Sequence, residues 1–158
     1  MSTALVLSNN NLLVNIDYDL QLKDLYFPNI GQENQLNRYM NKMMLYFDGK
    51  LHEINNTDWE IKIAYQTDTL IGISSCKHRS AGLTVDFIDY VASDKNIYIR
   101  EFKLINETDR SIEVSIFFQN NFALAESEFA DTTVWYQPAG CLLHYKKNRY
   151  LACGSKEK

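Results

Sequence analysis

Trp59-Glu60-Ile61-Lys62-Ile63-Ala64-Tyr65 sets the pattern for the whole chain: large apolar residues fall on every second position, with charged or small residues between them. Successive side chains of a β-strand point to opposite faces, so this order builds a strand with one face buried. A helix needs apolar spacing of three and four, which the stretch lacks. The same period recurs further along the chain. Leu83, Val85 and Phe87 alternate with Thr84 and Asp86, and Ile112, Val114, Ile116 and Phe118 alternate with Glu113 and Ser115.

The breaks between these runs read as turns. Phe47-Asp48-Gly49-Lys50 contains Asp-Gly, a favoured two-residue hairpin turn because both positions tolerate positive φ. Asp17-Tyr18-Asp19 reads as a tight reversal between Leu13–Ile16 and Leu20–Leu25. The polar run 106–110 separates a long strand, Ile97–Ile105, from Ile112–Phe118. Pro138-Ala139-Gly140 separates Val134–Tyr136 from Cys141–Tyr145, and Lys147-Asn148 turns into Tyr150–Cys153. About a dozen strands at this spacing predict an all-β fold, a large antiparallel β-sandwich with little helix. Residues 1–153 read as a single sandwich domain and 154–158 as a polar tail, either natural or the point where a longer protein was cut. Two long connections interrupt the pattern, 28–41 and 120–133. Long ordered loops tend to be functional or to pack on a neighbour.

Bulk properties narrow the function. The 158 residues are 46% hydrophobic and 23% charged, a globular composition with enough chain for a real core. A net charge of -4 provides no basic surface for nucleic acid. The basic cluster Lys146, Lys147 and Arg149 reads as a solvated hairpin. No apolar run approaches the ~20 residues of a membrane span. Met1–Leu7 lacks the pattern of a secretion signal, which leaves the cytoplasm as the expected location. Cys76, Cys141 and Cys153 are odd in number and widely spaced, so buried or half-buried thiols are expected rather than disulfides or a metal site.

The chemistry-bearing residues have bland readings beside the functional ones. His52, His78 and His144 occur in three separate strands or turns without metal-ligand spacing, so no metal and no cofactor is expected. No nucleophile elbow and no phosphate loop occurs. Sugar hydrolysis requires two carboxyl groups across a cleft. Asp17 and Asp19 read as turn chemistry, whereas Glu33 sits in a polar loop after Tyr26-Phe27-Pro28 and either caps loop amides or approaches a site. Trp59 is expected in the core. Trp135 and Tyr136 are adjacent on one strand and so cannot both face inward; at least one is expected at solvent or a partner surface. No residue is expected to be catalytic. Tyr26, Phe27, Pro28, Glu33, Asn34, Trp135 and Tyr136 are the candidates for touching substrate or another domain.

Four stretches carry a resemblance: 12–17 (LLVNID), 21–34 (QLKDLYFPNIGQEN), Asp58-Trp59-Glu60, and 131–138 (DTTVWYQP) with His144-Tyr145-Lys146 after it. Together they resemble the N-terminal domain of bacterial and archaeal glycoside hydrolase family 15 proteins, the glucoamylase-like group. The likeness runs from Leu7 to Leu151 and is most specific in the opening motif. It departs from the family pattern at Tyr18 and Gln35. The resemblance implies a β-sandwich joined to a separate catalytic (α/α)6-barrel, which carries the acid and base for inverting hydrolysis of α-glucosidic bonds. It implies a non-catalytic, supporting role for this chain, with the barrel of the same polypeptide as partner and α-glucan as a candidate ligand. The family's sandwich is longer than this chain, so a fragment is expected, with self-association through its uncovered patch or edge strands. A free-standing carbohydrate-binding or protein-interaction sandwich is the alternative.

Overall fold

The computed structural model describes residues 3–37 and 41–156. The expected all-β architecture is present. Thirteen strands run in order: β1 (Thr3–Ser8), β2 (Leu13–Asp17), β3 (Leu22–Tyr26), β4 (Lys42–Phe47), β5 (Lys50–Glu53), β6 (Trp59–Tyr65), β7 (Gly72–His78), β8 (Leu83–Val91), β9 (Tyr98–Asn106), β10 (Ser115–Gln119), β11 (Thr132–Tyr136), β12 (Cys141–Lys146) and β13 (Arg149–Cys153). Two single 3-10 turns, Leu124–Glu126 and Gln137–Ala139, are the helical segments among the described residues. The sandwich is divided among four small antiparallel sheets, ordered β1-β2-β3, β10-β4-β5, β6-β7-β8-β9 and β11-β12-β13.

The alternation explains the packing. In the four-stranded sheet, Ile61, Cys76, Val85 and Leu104 lie in one cross-strand row. Ile63, Ser74, Phe87 and Phe102 form the next row on the same face. Leu5 and Leu7 of β1, with Val14 and Ile16 of β2, join this core, and β1 lies across β6 and β8. The approach is close at Gly72, where a Cβ would stand 2.5 Å from Leu5 Cδ1. Tyr65 Oη bonds both the N–H and the C=O of Val6, at 2.6 and 3.2 Å, and so closes part of the edge of β1. Met43, Leu45 and Phe47 of β4 bring the β10-β4-β5 sheet into the same core.

The expected turns form with two adjustments. Asp48 and Gly49 take positive φ, 49° and 73°, and join β4 to β5 in two residues. The carboxylate of Asp17 accepts the N–H groups of Asp19 and Gln21, and Leu20 takes φ 57° with its side chain buried. The first adjustment is at Ile112–Val114, which pack on the core as irregular chain; β10 begins only at Ser115. Alternation there marks burial of side chains without a strand partner for the backbone. The second is in the 28–41 loop, where Asn34 and Leu36 form single bridges to Tyr26 and Phe122. Residues 38–40 of that loop and 157–158 of the tail lie outside the described residues.

A charged cluster sits inside this apolar framework. Asp89, fully buried, pairs with Arg100 Nε at 2.7 Å and accepts the Tyr98 hydroxyl at 2.5 Å. Arg100 Nη1 also donates to Leu20 O at 2.9 Å, which ties β9 to the β2–β3 turn. Burial opposes the Arg100 charge, but Tyr98 and Asp89 outweigh it and hold the guanidinium above its ordinary pKa. Burial holds the Tyr98 phenol well above its ordinary value.

Candidate functional site

The loop predicted to matter is held by its own side chains. Asn34 Oδ1 accepts the N–H groups of Leu25 and Leu36, both at 3.1 Å, and Asn34 Nδ2 donates to Asp24 Oδ1 at 2.7 Å. Gln35, almost fully buried, donates to Phe27 O at 2.9 Å and accepts from Ala125 N–H at 2.9 Å. It therefore joins the two long connections to each other. The Phe27–Pro28 peptide is cis, Phe27 packs on the core, and Tyr26, Phe27 and Pro28 are half-buried.

Glu33 does not stand free in this loop. Its carboxylate is gripped by Arg149 of β13, with Nη2 at 3.0 and 3.3 Å from its two oxygens and Nε at 3.3 Å. The reading of Lys146, Lys147 and Arg149 as a solvated cluster is thereby corrected. Lys146, with its side chain 12% exposed, donates to Leu124 O at 2.7 Å and Ser127 O at 2.5 Å, and lies 3.4 Å from Asp131. Lys147 alone follows expectation, in the exposed turn at φ 52°. A short hairpin with strand burial along only part of its length had to find polar anchors, and the two long connections provide them.

Trp135 and Tyr136 are both exposed, 63% and 46%, on opposite faces of a strand that is exposed along its whole length. The structure does not bring them to Glu33. Trp135 stands opposite Leu142, itself opposite Cys153, whereas Arg149 pairs with Lys146 at the other end of the sheet. The four-residue step from Arg149 to Cys153 separates the two groups by about 13 Å along β13.

Between them lies a polar cleft of about 250 Å3, lined by Asn120, Asn121, Phe122, Leu124, Glu128, Asp131, Thr133 and His144. Thr133 Oγ1 and His144 Nδ1 are 2.7 Å apart, and the imidazole packs edge-on against Phe122 with ring centroids 4.4 Å apart. Burial lowers the His144 pKa against the opposing pull of Asp131. Thr133 and Trp135 lie two residues apart on one face of β11, which places an exposed indole beyond amide, hydroxyl and carboxylate groups.

His52 and His78 meet, which sequence position alone did not indicate. Their ring centroids are 5.1 Å apart, between Phe47 and Trp59, and neither Nε2 has a protein hydrogen-bond partner. His78 is buried and its Nδ1 accepts from Ala81 N–H at 3.1 Å. Burial, and then His52, lower its pKa. Trp59 is fully buried, as expected, and its indole donates to Glu53 O at 3.0 Å. Among the described residues no three metal-ligating side chains converge. Cys76 and Cys141 are buried and Cys153 half-buried, all three free, with burial raising Cys76 to about 12 and Cys153 to about 11. No helix among the described residues is long and apolar enough to cross a membrane.

No protein-family model matches the chain, and no solved structure matches it. A match is found in Methanocaldococcus jannaschii, to a protein named as an uncharacterized glycosyl hydrolase. The two are 24% identical over 153 residues, which is 97% of this chain and 24% of that protein. This chain thus spans about a quarter of the relative's length. The likeness is thus between an all-β, sandwich-type chain and part of a protein named as a glycosyl hydrolase.

Proposed function

We propose that this chain acts as a non-catalytic N-terminal domain of a glucoamylase-like α-glucan hydrolase, supporting an (α/α)6-barrel that carries the chemistry. The observation that supports this most is the proportion of the match. Nearly all of this chain aligns with about a quarter of a named glycosyl hydrolase, which leaves most of that protein for another part. The carboxylates agree with a structural role. Asp17 caps a turn, Asp24 anchors Asn34, Asp89 is paired with Arg100, and Glu33 is held by Arg149. The opening motif, which resembles the glucoamylase-like pattern, is spent on fixing the 26–37 loop against β13.

The test is glucose release from maltooligosaccharides by the isolated chain, beside immunoblotting of source cells with an antibody raised to it. Expected are no release above the blank and a polypeptide far larger than the 18.4 kDa of this chain. Robust release that disappears in Glu33→Gln would overturn the reading.

A second reading, a free-standing carbohydrate-binding module, is favoured by the polar cleft with Trp135 exposed beyond it. Sugar rings stack on exposed aromatics while amides and carboxylates bond their hydroxyl groups. Calorimetry with maltoheptaose separates the two. Heat of binding that is lost in Trp135→Ala, together with a native band at 18.4 kDa, favours the module.

A further inference from the structure

β9 is a terminal strand of its sheet, and its free edge has a definite phase. Glu107 N donates to Gly82 O at 2.8 Å and Ala92 N donates to Ile97 O at 2.9 Å, one bond at each end of the β8–β9 ladder. Between them the register is unbroken, from Leu83↔Asn106 to Val91↔Tyr98. Odd-numbered residues of β9 therefore bond to β8. Tyr98, Arg100, Phe102 and Leu104 turn their backbone N–H and C=O groups to the open side. Among the described residues none of these backbone groups bonds elsewhere. At the middle of this edge Phe102 is 38% exposed, although its neighbour Phe87, 6.5 Å away between ring centroids, is buried.

The edge is complementary to itself. Laid antiparallel on a second copy with the two-fold axis at Phe102, its open backbone groups fall into register. Phe102 meets Phe102 of the second copy and Arg100 meets Leu104, both as hydrogen-bonded pairs. The residues between them form the non-hydrogen-bonded pairs, where side chains stand closest. There Glu101 faces Lys103 of the second copy, and Ile99 faces Ile105; by symmetry each contact occurs twice. Sliding one copy by two residues either way sets Glu101 against Glu101 or Lys103 against Lys103. The charges thus select a single register. Tyr90 Oη, 3.1 Å from Glu101 Oε1, already steadies one member of the pair.

We propose that β9 is a homodimerisation strand: two copies join their β9 edges antiparallel about Phe102, with a Glu101–Lys103 pair on each side of the axis. The four-stranded sheets merge into one sheet continuous across both copies. The join closes an edge that would otherwise invite unspecific pairing and covers Phe102, whose ring lies 5.9 Å from that of the half-exposed Phe118. It needs no carbohydrate and stands apart from the glucan reading.

Sedimentation equilibrium over a wide concentration range tests it. The wild type is expected to approach twice 18.4 kDa. Lys103→Glu and Glu101→Lys each set like charges opposite one another, and each is expected to weaken the dimer about tenfold or more. Lys103 is exposed and Glu101 half-buried in the monomer, and circular dichroism confirms that the variants fold. An equimolar mixture of the two variants restores opposite charges at both contacts and is expected to dimerise. A wild type that stays monomeric overturns the proposal, as does a dimer indifferent to both reversals, which would place the interface on another surface. A mixture that fails to recover overturns the register. Pairing of the edge with a strand from a different polypeptide would show as wild-type monomer and also overturns it.

Discussion

The β6–β9 sheet and the β11–β13 sheet are built from the same alternating pattern but held in different ways. In the first, Trp59, Cys76, Val85 and Phe87 face an apolar core closed by β1 and β4, and the charges inside it are paired with one another. In the second, β11 is exposed on both faces, and attachment rests on Leu151, on Phe122 against His144, and on cations gripping the long connections. Alternation fixes which residues share a face and leaves open what covers that face. The first sheet should therefore fail as part of the whole fold, and the second should loosen locally and respond to salt.

The sharpest way to break the contrast is Asp89→Ala, which strands Arg100 without its carboxylate inside the fold. Removing one partner of a buried pair costs about 3–5 kcal/mol. Urea denaturation at fixed protein concentration should show that loss; a change below about 1 kcal/mol would mean that the cluster does not hold the sheet. Gly72→Ala comes next. Its Cβ would press on Leu5 in a filled core, and overpacking of this kind costs about 1–3 kcal/mol. The same denaturation experiment measures it, with no change expected in the slope if the transition remains two-state.

Arg149→Ala probes the other sheet. Its pair with Glu33 is partly exposed, so about 0.5–1 kcal/mol is expected. The effect should shrink in high salt. Hydrogen exchange should quicken in β11–β13 and stay unchanged in β7 and β8. Uniform quickening would contradict a separately anchored sheet. Acid reaches both regions at once, through His78 in one and His144 in the other. Burial lowers both pKa values from 6.5, so the unfolded chain takes up protons before the folded one. Stability is full above pH 6.5 and falls as the pH drops below it. Asp17, raised from 3.8 mainly by burial, works the other way: just above 3.8 the folded form holds the extra proton, which offsets part of the loss at the acid end. Denaturation midpoints at stepped pH check the sign. A midpoint that rises on acidification from neutrality would refute it.

The sequence legibility of the two regions differs for physical reasons. Strand faces and tight turns are local, so the runs at 59–65 and 83–87 and the Asp48-Gly49 turn could be read directly. The buried ion pair also left a signal, since Asp89 continues the inward series Val85, Phe87 and Arg100 precedes Phe102 and Leu104 on the facing strand. A charge at a core-facing position asks for a partner. The anchoring of the last hairpin left none. Glu33 and Arg149 are 116 positions apart, and only the folded path of the two long connections brings them together. The same holds for His52 and His78. Of the stretch expected to form an unusual surface loop, Tyr26 ends β3, Glu33 and Asn34 are committed inward, to β13 and to Leu25 and Asp24, and residues 29–32 stay exposed.

Trp135→Ala should have the smallest effect on stability and the most to say about function. The indole is largely exposed, and surface substitutions usually change stability by no more than about 0.5 kcal/mol. An exposed apolar side chain on a strand that the body of the domain does not cover gains nothing for this chain alone. Under the proposed function its contribution is made against something else, a glucan or a neighbouring domain. The expected outcome is an unchanged denaturation midpoint with a lost binding signal, whichever partner is titrated. A clear drop in midpoint would show instead that Trp135 packs on the β11–β13 sheet, and the contrast between a closed core and an open sheet would then fail at that sheet's large exposed indole.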